Sequence, residues 1–351
     1  MTEGDTLRVA VAGTSFAGSV QVPVFQSSKR TKVVAVSSGS LDRAELVANE
    51  HDIPAAYTDF EEMLDNEKLD LVSIATPTDL HRPMVLAAVH RGIHVLCEKP
   101  FAMNTEEARE MLTEAEKAGV IAMIDFEFRY LPARTYLAHL LRQKYVGEIR
   151  MIEFTRHFGW RSKPEDVAWD WWSDQNRGGG LLGALGSHAV DSLRLWVGEP
   201  RRVFCDLSTF VQQREGLNVT SDDSYVMILE FDSDIRAVVQ MSAVSGVENS
   251  QIGIYGSEGQ VNIPGYRCEK LLGGKRRGRA IKELTIPKRH SLSKEPGHFL
   301  RAPFRILTNS LINAIDRKSS SPSPNFADGL ASQIILDGAR RSSSEGRWID
   351  L

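Results

Sequence analysis

Between Leu7 and Phe126 short apolar runs alternate with helix-compatible stretches, and no other feature limits the fold of this chain so tightly. Runs at 7–12, 32–37, 69–75, 93–96 and 120–126 read as strands, and the segments between them read as helices. Consecutive strands separated by helices enter one sheet as parallel neighbours, so residues 1–126 are expected to form an α/β, doubly wound parallel sheet. Local signals agree with this. Asn104 and Glu107 stand at capping-box spacing ahead of a helix over 104–118, and Gly92 and Gly119 follow the ends of two helices.

From residue 127 the rhythm changes. A helix over 133–143 precedes strand-like segments at 149–158, 201–212, 224–231, 235–244 and 250–257. Strands in direct succession predict an α+β domain over 127–351 with a large, mostly antiparallel open sheet. Two domains suit a chain of 351 residues with 42% hydrophobic and 25% charged residues. Apolar residues fall on both faces of 225–231 and 237–241, so the outer face of that sheet is expected to join copies of the chain into a homodimer or homotetramer.

No run approaches the roughly 18 apolar residues of a membrane span, and Met1 to Arg8 are polar and acidic where a signal peptide is basic and then apolar. A cytoplasmic protein without a membrane partner is expected. Cys97, Cys205 and Cys268 are odd in number, far apart and without a C-x-x-C spacing, which indicates reduced thiols. A net charge of -4 argues against nucleic-acid binding; the basic cluster 273–279 lies between strand-like runs and reads as a solvated hairpin loop. None of the nine histidines shows a metal-ligand spacing, so no metal is expected.

The strand ends carry the candidate chemistry, since ligands of an open parallel sheet lie outside its carboxyl edge. After the first strand, Gly13 permits a tight turn and Gly18 allows close packing of the helix on the strand, with Ser15 and Phe16 between them. The free N–H groups of the helix start suit a pyrophosphate. Ser15 replaces the middle glycine of the dinucleotide fingerprint, and Ser19 and Val20 stand where a P-loop requires Lys and Ser or Thr. After the second strand come Ser38 and Ser40, with Arg43 a helical turn on, in place of the acid that clasps a ribose diol. Small hydroxyls and a guanidinium suit a 2′-phosphate, so NAD(P) is the expected cofactor and NADP is modestly favoured. Thr76, Pro77 and His81 follow a later strand, and the run 93–96 ends in Glu98, Lys99 and Pro100, a charged pair sealed by a rigid, cis-compatible turn.

Two further stretches stand out. Four of the six tryptophans fall between Trp160 and Trp172, and Trp171 and Trp172 next to a glycine run offer aromatic walls for a sugar or other polyhydroxy ligand. His188 follows Ser187, a good N-cap residue, so the spacing predicts a helix opening at 187. A histidine in the first turn meets the positive end of the helix dipole, which keeps the imidazole available as a base. Asp191 lies one turn further along the same face.

Taken together, Gly13 to Gly18, Ala75-Thr76-Pro77 with His81, Glu98-Lys99-Pro100, the segment Phe126 to Pro132, and Gly178 to Gly180 followed by Gly186-Ser187-His188 and Asp191 make the chain resemble the glucose-fructose oxidoreductase and inositol dehydrogenase family, Gfo/Idh/MocA. The resemblance runs along nearly the whole chain. It implies a Rossmann nucleotide-binding domain followed by an α+β substrate and oligomerisation domain. It implies an NAD(P)-dependent dehydrogenase or reductase acting on a CH–OH group of a sugar, polyol or similar small molecule. Lys99 then contacts nicotinamide and substrate, and His188 takes the substrate hydroxyl proton. Glu98 joins the cofactor-binding residues, and Glu127, Arg129, Trp171, Trp172 and Asp191 form the expected substrate pocket. Three positions depart from the family pattern: Ala184 replaces an aspartate four residues before the histidine, Glu127 replaces Asn or His, and Ser38 replaces the ribose acid. Alternatives are a non-redox enzyme resembling the NAD-dependent glycosidases and a sugar sensor without turnover; retention of Lys99 and His188 favours an enzyme over the sensor.

Overall fold

A computed structural model describes residues 6–278, 280–293 and 295–351; the opening stretch 1–5 and Arg279 of the basic loop lie outside the described residues. The chain forms two compact units, one of Met1–Glu127 with Ser293–Ala331 and one of Phe128–Leu292 with Ser332–Leu351.

In the first unit β1 (Leu7–Ala12), β2 (Thr31–Ser37), β3 (Ala55–Tyr57), β4 (Leu71–Ile74), β5 (His94–Cys97) and β6 (Ala122–Ile124) form a six-stranded sheet in the order β3-β2-β1-β4-β5-β6, with every pair parallel. The expected doubly wound sheet is therefore present. Its strands are almost continuously apolar because helices bury both faces: Val9, Ala10, Val11 and Ala12 are all fully buried. Strand order reverses between β1 and β4, and the parallel direction brings the residues after β1, β2, β4, β5 and β6 to one edge. Helix Thr105–Ala118 is capped as predicted. Asn104 Oδ1 accepts from Glu107 N at 2.9 Å, and Gly119 closes the helix at φ 66°.

One boundary differs from the expectation. Residues 293–331 pack with the first unit, not with the domain predicted over 127–351. Aromatic packing explains the difference: Phe304 of helix Arg301–Arg317 meets Phe25 edge-on at 5.8 Å, and Phe326 lies 4.5 Å from Phe101.

In the second unit follow β7 (Ile149–His157), β8 (Pro200–Ser208), the short pair β9 (Gln213–Arg214) and β10 (Leu217–Asn218), β11 (Ser224–Phe231), β12 (Arg236–Ser242), β13 (Asn249–Gly256), β14 (Gly259–Pro264), β15 (Leu272–Lys275), β16 (Lys282–Glu283) and β17 (Ile349–Asp350). Among the described residues nine of them form one sheet, β16-β15-β14-β13-β7-β12-β11-β8-β17, in which only β7 and β12 pair parallel. β8 stops at Ser208, short of the predicted 212. The Asp223 carboxylate takes the N–H groups of Phe210 and Val211 at 2.9 and 2.8 Å and turns the chain away. β15 and β16 flank the basic loop as a hairpin. One face of β11 and β12 is buried through Met227, Leu229, Val239 and Met241, while Val226 on the other face is 46% exposed.

Candidate active site

The carboxyl edge of the first unit gathers most of the predicted cofactor residues. Gly13 has φ +111°, and a Cβ there would lie 2.2 Å from the Ala75 carbonyl oxygen, so the turn after β1 passes the end of β4 too closely for any side chain. Gly18 plays another part than predicted: a Cβ there would meet Val47 of helix Leu41–Glu50 at 3.4 Å, so its packing is helix on helix. The helix over 17–27 opens with a π-helical turn, Ala17–Gln21. Ser40 starts helix Leu41–Glu50 yet its hydroxyl makes no capping bond, and Arg43 is exposed without an ion pair among the described residues. Both remain available to a ligand. Ser15 is exposed, and Phe16, Ser38, Thr76 and Pro77 are half-buried at the same edge.

His81 departs from its predicted role. It is fully buried, with Nδ1 3.1 Å from the Pro100 carbonyl and Nε2 3.0 Å from that of Thr76. Burial lowers its pKa against the pull of those carbonyls and of Glu98. A side chain enclosed in this way cannot touch a cofactor. It ties the loop after β4 to the turn after β5, whose Lys99–Pro100 peptide is cis.

That turn holds a buried cluster of acids around one lysine. Lys99 Nζ lies 3.5 Å from Glu98 Oε2 and its side chain keeps 22% of its exposure. Gln21 Nε2 donates to Glu98 Oε1 at 3.0 Å and approaches Asp125 Oδ2 at 3.4 Å, while its Oε1 accepts from Ser73 Oγ at 2.8 Å. Gln21, Asp125 and Glu127 are all nearly or fully buried. Burial opposes the Lys99 charge, but Glu98, Glu127 and Asp125 outweigh it and raise the lysine pKa, so the ammonium persists at neutral pH. The acids respond in the opposite sense. Burial, then repulsion from Glu127 and Glu98, lifts Asp125 well above the usual carboxylate range; burial and Glu98 push Glu127 up to about 8.

A pH-dependent stability follows from Glu127. Its folded pKa lies above its unfolded value, so its contribution is complete at pH below about 4.5 and is lost as pH rises through about 8. Glu127→Gln imitates the neutral acid and escapes that loss. Thermal melts of variant and parent should coincide near pH 5 and separate by pH 9, with the variant more stable by on the order of 2–4 kcal/mol. Parallel melting curves across that range would show that Glu127 is ionised throughout.

In the second unit, His188 is 3% exposed and stacks on Phe128 with ring centroids 4.0 Å apart and planes 6° from parallel. The helix begins earlier than the predicted 187. Leu181 is already helical, a π-helical turn covers Leu182–Gly186, and helix Ser187–Val197 continues from it. The cap is Asp222, whose Oδ2 accepts from Leu182 N at 2.7 Å; Ser187 is helical and its hydroxyl has no hydrogen-bond partner among the described residues. His188 therefore sits well inside the helix, and the dipole argument for its basicity falls. Ala184 presents only a methyl group one turn earlier.

Arg129 and Asp191 are also not open ligands. They form a bidentate pair, Nε to Oδ2 at 2.8 Å, with side-chain exposures of 7% and 2%, which fastens the segment after Glu127 to the His188 helix. Trp172 packs 4.9 Å from Trp160, and the Arg161 guanidinium lies 5.0 Å over its ring; Trp171 is half-buried. Sequence reasoning missed Gln21, Ser73 and Asp125. Asp125 at least had a signal, a carboxylate at a strand end two residues from Glu127.

Comparison with known proteins agrees with this architecture. Residues 7–126 match the oxidoreductase family with an NAD-binding Rossmann fold, and residues 135–262 match the GFO/IDH/MocA C-terminal domain. An uncharacterized oxidoreductase of Synechocystis is 31% identical over 362 residues, covering 99% of this chain and 97% of its own. D-xylose 1-dehydrogenase (NADP(+)) 2 of Haloferax volcanii is 34% identical over 221 residues, 63% of this chain and 64% of its own. Levoglucosan dehydrogenase, solved with NADH and levoglucosan, shares the fold with a TM-score of 0.90 at 22% identity over 99% of both chains. The chain belongs to the GFO/IDH/MocA family of NAD-binding oxidoreductases.

Proposed function

We propose that this oxidoreductase interconverts a carbinol and a carbonyl on a sugar, polyol or similar small molecule. The nicotinamide of NAD(P), when bound, supplies the hydride chemistry. Gly13 and its close approach to Ala75, with Ser15, Phe16, Gly18, Ser38, Ser40, Arg43, Thr76 and Pro77, provide a cradle suited to the dinucleotide. The observation that carries the reading is Lys99, an ammonium kept charged by buried acids at the carboxyl edge of the sheet. It donates a hydrogen bond to the substrate oxygen; Glu98 holds the ammonium in place, and His188 takes the hydroxyl proton in oxidation and returns it in reduction. Trp171 is the remaining candidate for an aromatic wall. A panel of sugars and polyols assayed by cofactor absorbance tests the reading, and no net change in cofactor with any of them would point to the non-redox or sensor alternatives.

NADP preference is part of the proposal. A charge-assisted hydrogen bond from Arg43 to a 2′-phosphate is worth about ten- to a hundredfold in affinity. Arg43→Ala should weaken NADP by that order and leave NAD within about twofold, read by tryptophan fluorescence titration; equal losses would remove Arg43 from the cofactor site. Two relatives differ on this point by name, one xylose dehydrogenase being NADP-dependent and levoglucosan dehydrogenase having been solved with NADH.

The protein is further proposed to be cytoplasmic, in keeping with three buried free cysteines, and to assemble as a homodimer or homotetramer through the outer face of β11 and β12, where Val226 is exposed and Ile228 and Val238 are half-buried. A monomer mass by light scattering at micromolar concentration would exclude that assembly.

A further inference from the structure

The second unit holds a pocket with an unusual charge balance. Phe128, Arg134, Arg156, His188, Ser250 and Tyr266 are among its lining residues. Arg134, on helix Pro132–Arg142, is 4% exposed. Its Nη1 donates to Ser192 Oγ at 2.7 Å, and its guanidinium lies 5.0 Å from the Phe128 ring and 5.3 Å from that of Phe154. No carboxylate pairs with it among the described residues, and its buried Nε has no hydrogen-bond partner there. Arg156, on β7, is 9% exposed and lies 4.0 Å over Tyr266. It is paired with Glu248, whose own side chain is 64% exposed, and its buried Nε is likewise without a hydrogen-bond partner among the described residues. Two guanidinium groups thus line one pocket against a single, largely solvated carboxylate.

A buried cation without a counter-charge is strongly unfavourable, and contacts with aromatic faces offset only part of that penalty. Unsatisfied buried N–H groups add to it. An anion entering the pocket would relieve all of these terms together. His188 lines the same pocket, so the anion belongs on a molecule whose hydroxyl the imidazole serves. The cavity itself is only about 20 Å³, room for about one water-sized group, so it suits the anionic head of a molecule and not a whole sugar, and its aromatic walls favour a planar anionic group over a phosphate with its full hydration.

We infer that the substrate carries a carboxylate, as a sugar acid or hydroxy acid does, and that Arg134 and Arg156 receive it. This deepens the proposed function and rests on His188 acting at the same site. Two measurements keep the failures apart. In cofactor absorbance assays, D-glucuronate against D-glucose and D-galacturonate against D-galactose form pairs that differ at one carbon. The acid of each pair should have a kcat/KM at least about tenfold higher. Arg134→Met, which retains bulk and apolar packing, should abolish that preference mainly through KM; Arg156→Met should reduce it, and Arg134→Lys should keep part of it. Calorimetric titration of D-gluconate into the protein with NADP present should show saturable binding that Arg134→Met or Arg156→Met removes, whichever variant melts as the parent does. Equal or better turnover of the neutral sugars, unaffected by either substitution, overturns the carboxylate while leaving the dehydrogenase intact. Saturable gluconate binding lost in the variants, without turnover of any member of the panel, upholds the anion site while the redox reading fails. Gluconate heats that chloride at equal ionic strength reproduces also overturn the proposal.

Discussion

Lys99→Ala should lower kcat by about 10²-fold or more while leaving cofactor affinity within a few-fold of the parent, because a positioned proton donor contributes on that scale to the chemical step and little to ground-state binding. The acids around Lys99 sharpen this expectation. Glu98 lies 3.5 Å from Nζ, and Asp125 and Glu127 are buried close enough to raise the lysine pKa. An ammonium held this way donates a hydrogen bond to a developing alkoxide and does not act as a neutral amine base. Lys99→Arg should therefore rescue little, since its charge is retained but its donors are carried on a larger planar group. Removal of the ammonium also leaves Asp125 and Glu127 without the cation that favours their ionised forms, so Lys99→Ala should shift their protonation upward. The variant should consequently melt close to the parent at pH 5 and below it at pH 9. Turnover within about threefold of the parent on the best substrate would dismiss Lys99 from the chemistry, whatever the melting curves show.

The parts of this molecule legible in its sequence are those governed by local rules. Period and punctuation were enough for β1, β2, β4, β5 and β6, for the caps at Asn104 and Gly119, and for the placement of Lys99 at a strand end, because each depends on residues a few positions apart. The errors came from contacts between residues distant in sequence. Ser187 has the chemistry of an N-cap, yet the helix starts six residues earlier because Asp222, forty positions on, supplies the capping oxygen. His81 reads from its position as a cofactor contact, whereas in the fold it is buried between two loops. Arg129 and Asp191 looked like open polar ligands, but sixty-two positions separate two groups that satisfy one another. The protonation of Glu127 is likewise a property of desolvation and of Glu98, neither of which periodicity reports. The π-helical turn that brings Gln21 to Glu98 and Asp125 follows no local periodicity or capping signal in the sequence.

His188→Ala should also reduce kcat by about 10²-fold or more, and part of that loss should return at high pH if hydroxide can serve as the proton acceptor. A loss in the alanine variant alone does not separate chemistry from packing, because the imidazole stacks on Phe128 at 4.0 Å and its helix carries Asp191, the partner of Arg129. His188→Phe makes the separation. A phenyl ring can occupy the same plane against Phe128 and preserve the helix, but it has no nitrogen to accept or return a proton. If His188 acts through packing, the phenylalanine variant should recover most of the activity lost in the alanine variant. If it handles the proton, both variants should be equally slow, with melting temperatures ranked Phe above Ala, and both should lose the histidine-dependent limb of the pH–rate profile. The expected result is the second. Recovery to within about fivefold of the parent in His188→Phe would assign the imidazole to packing and move the proton to another group.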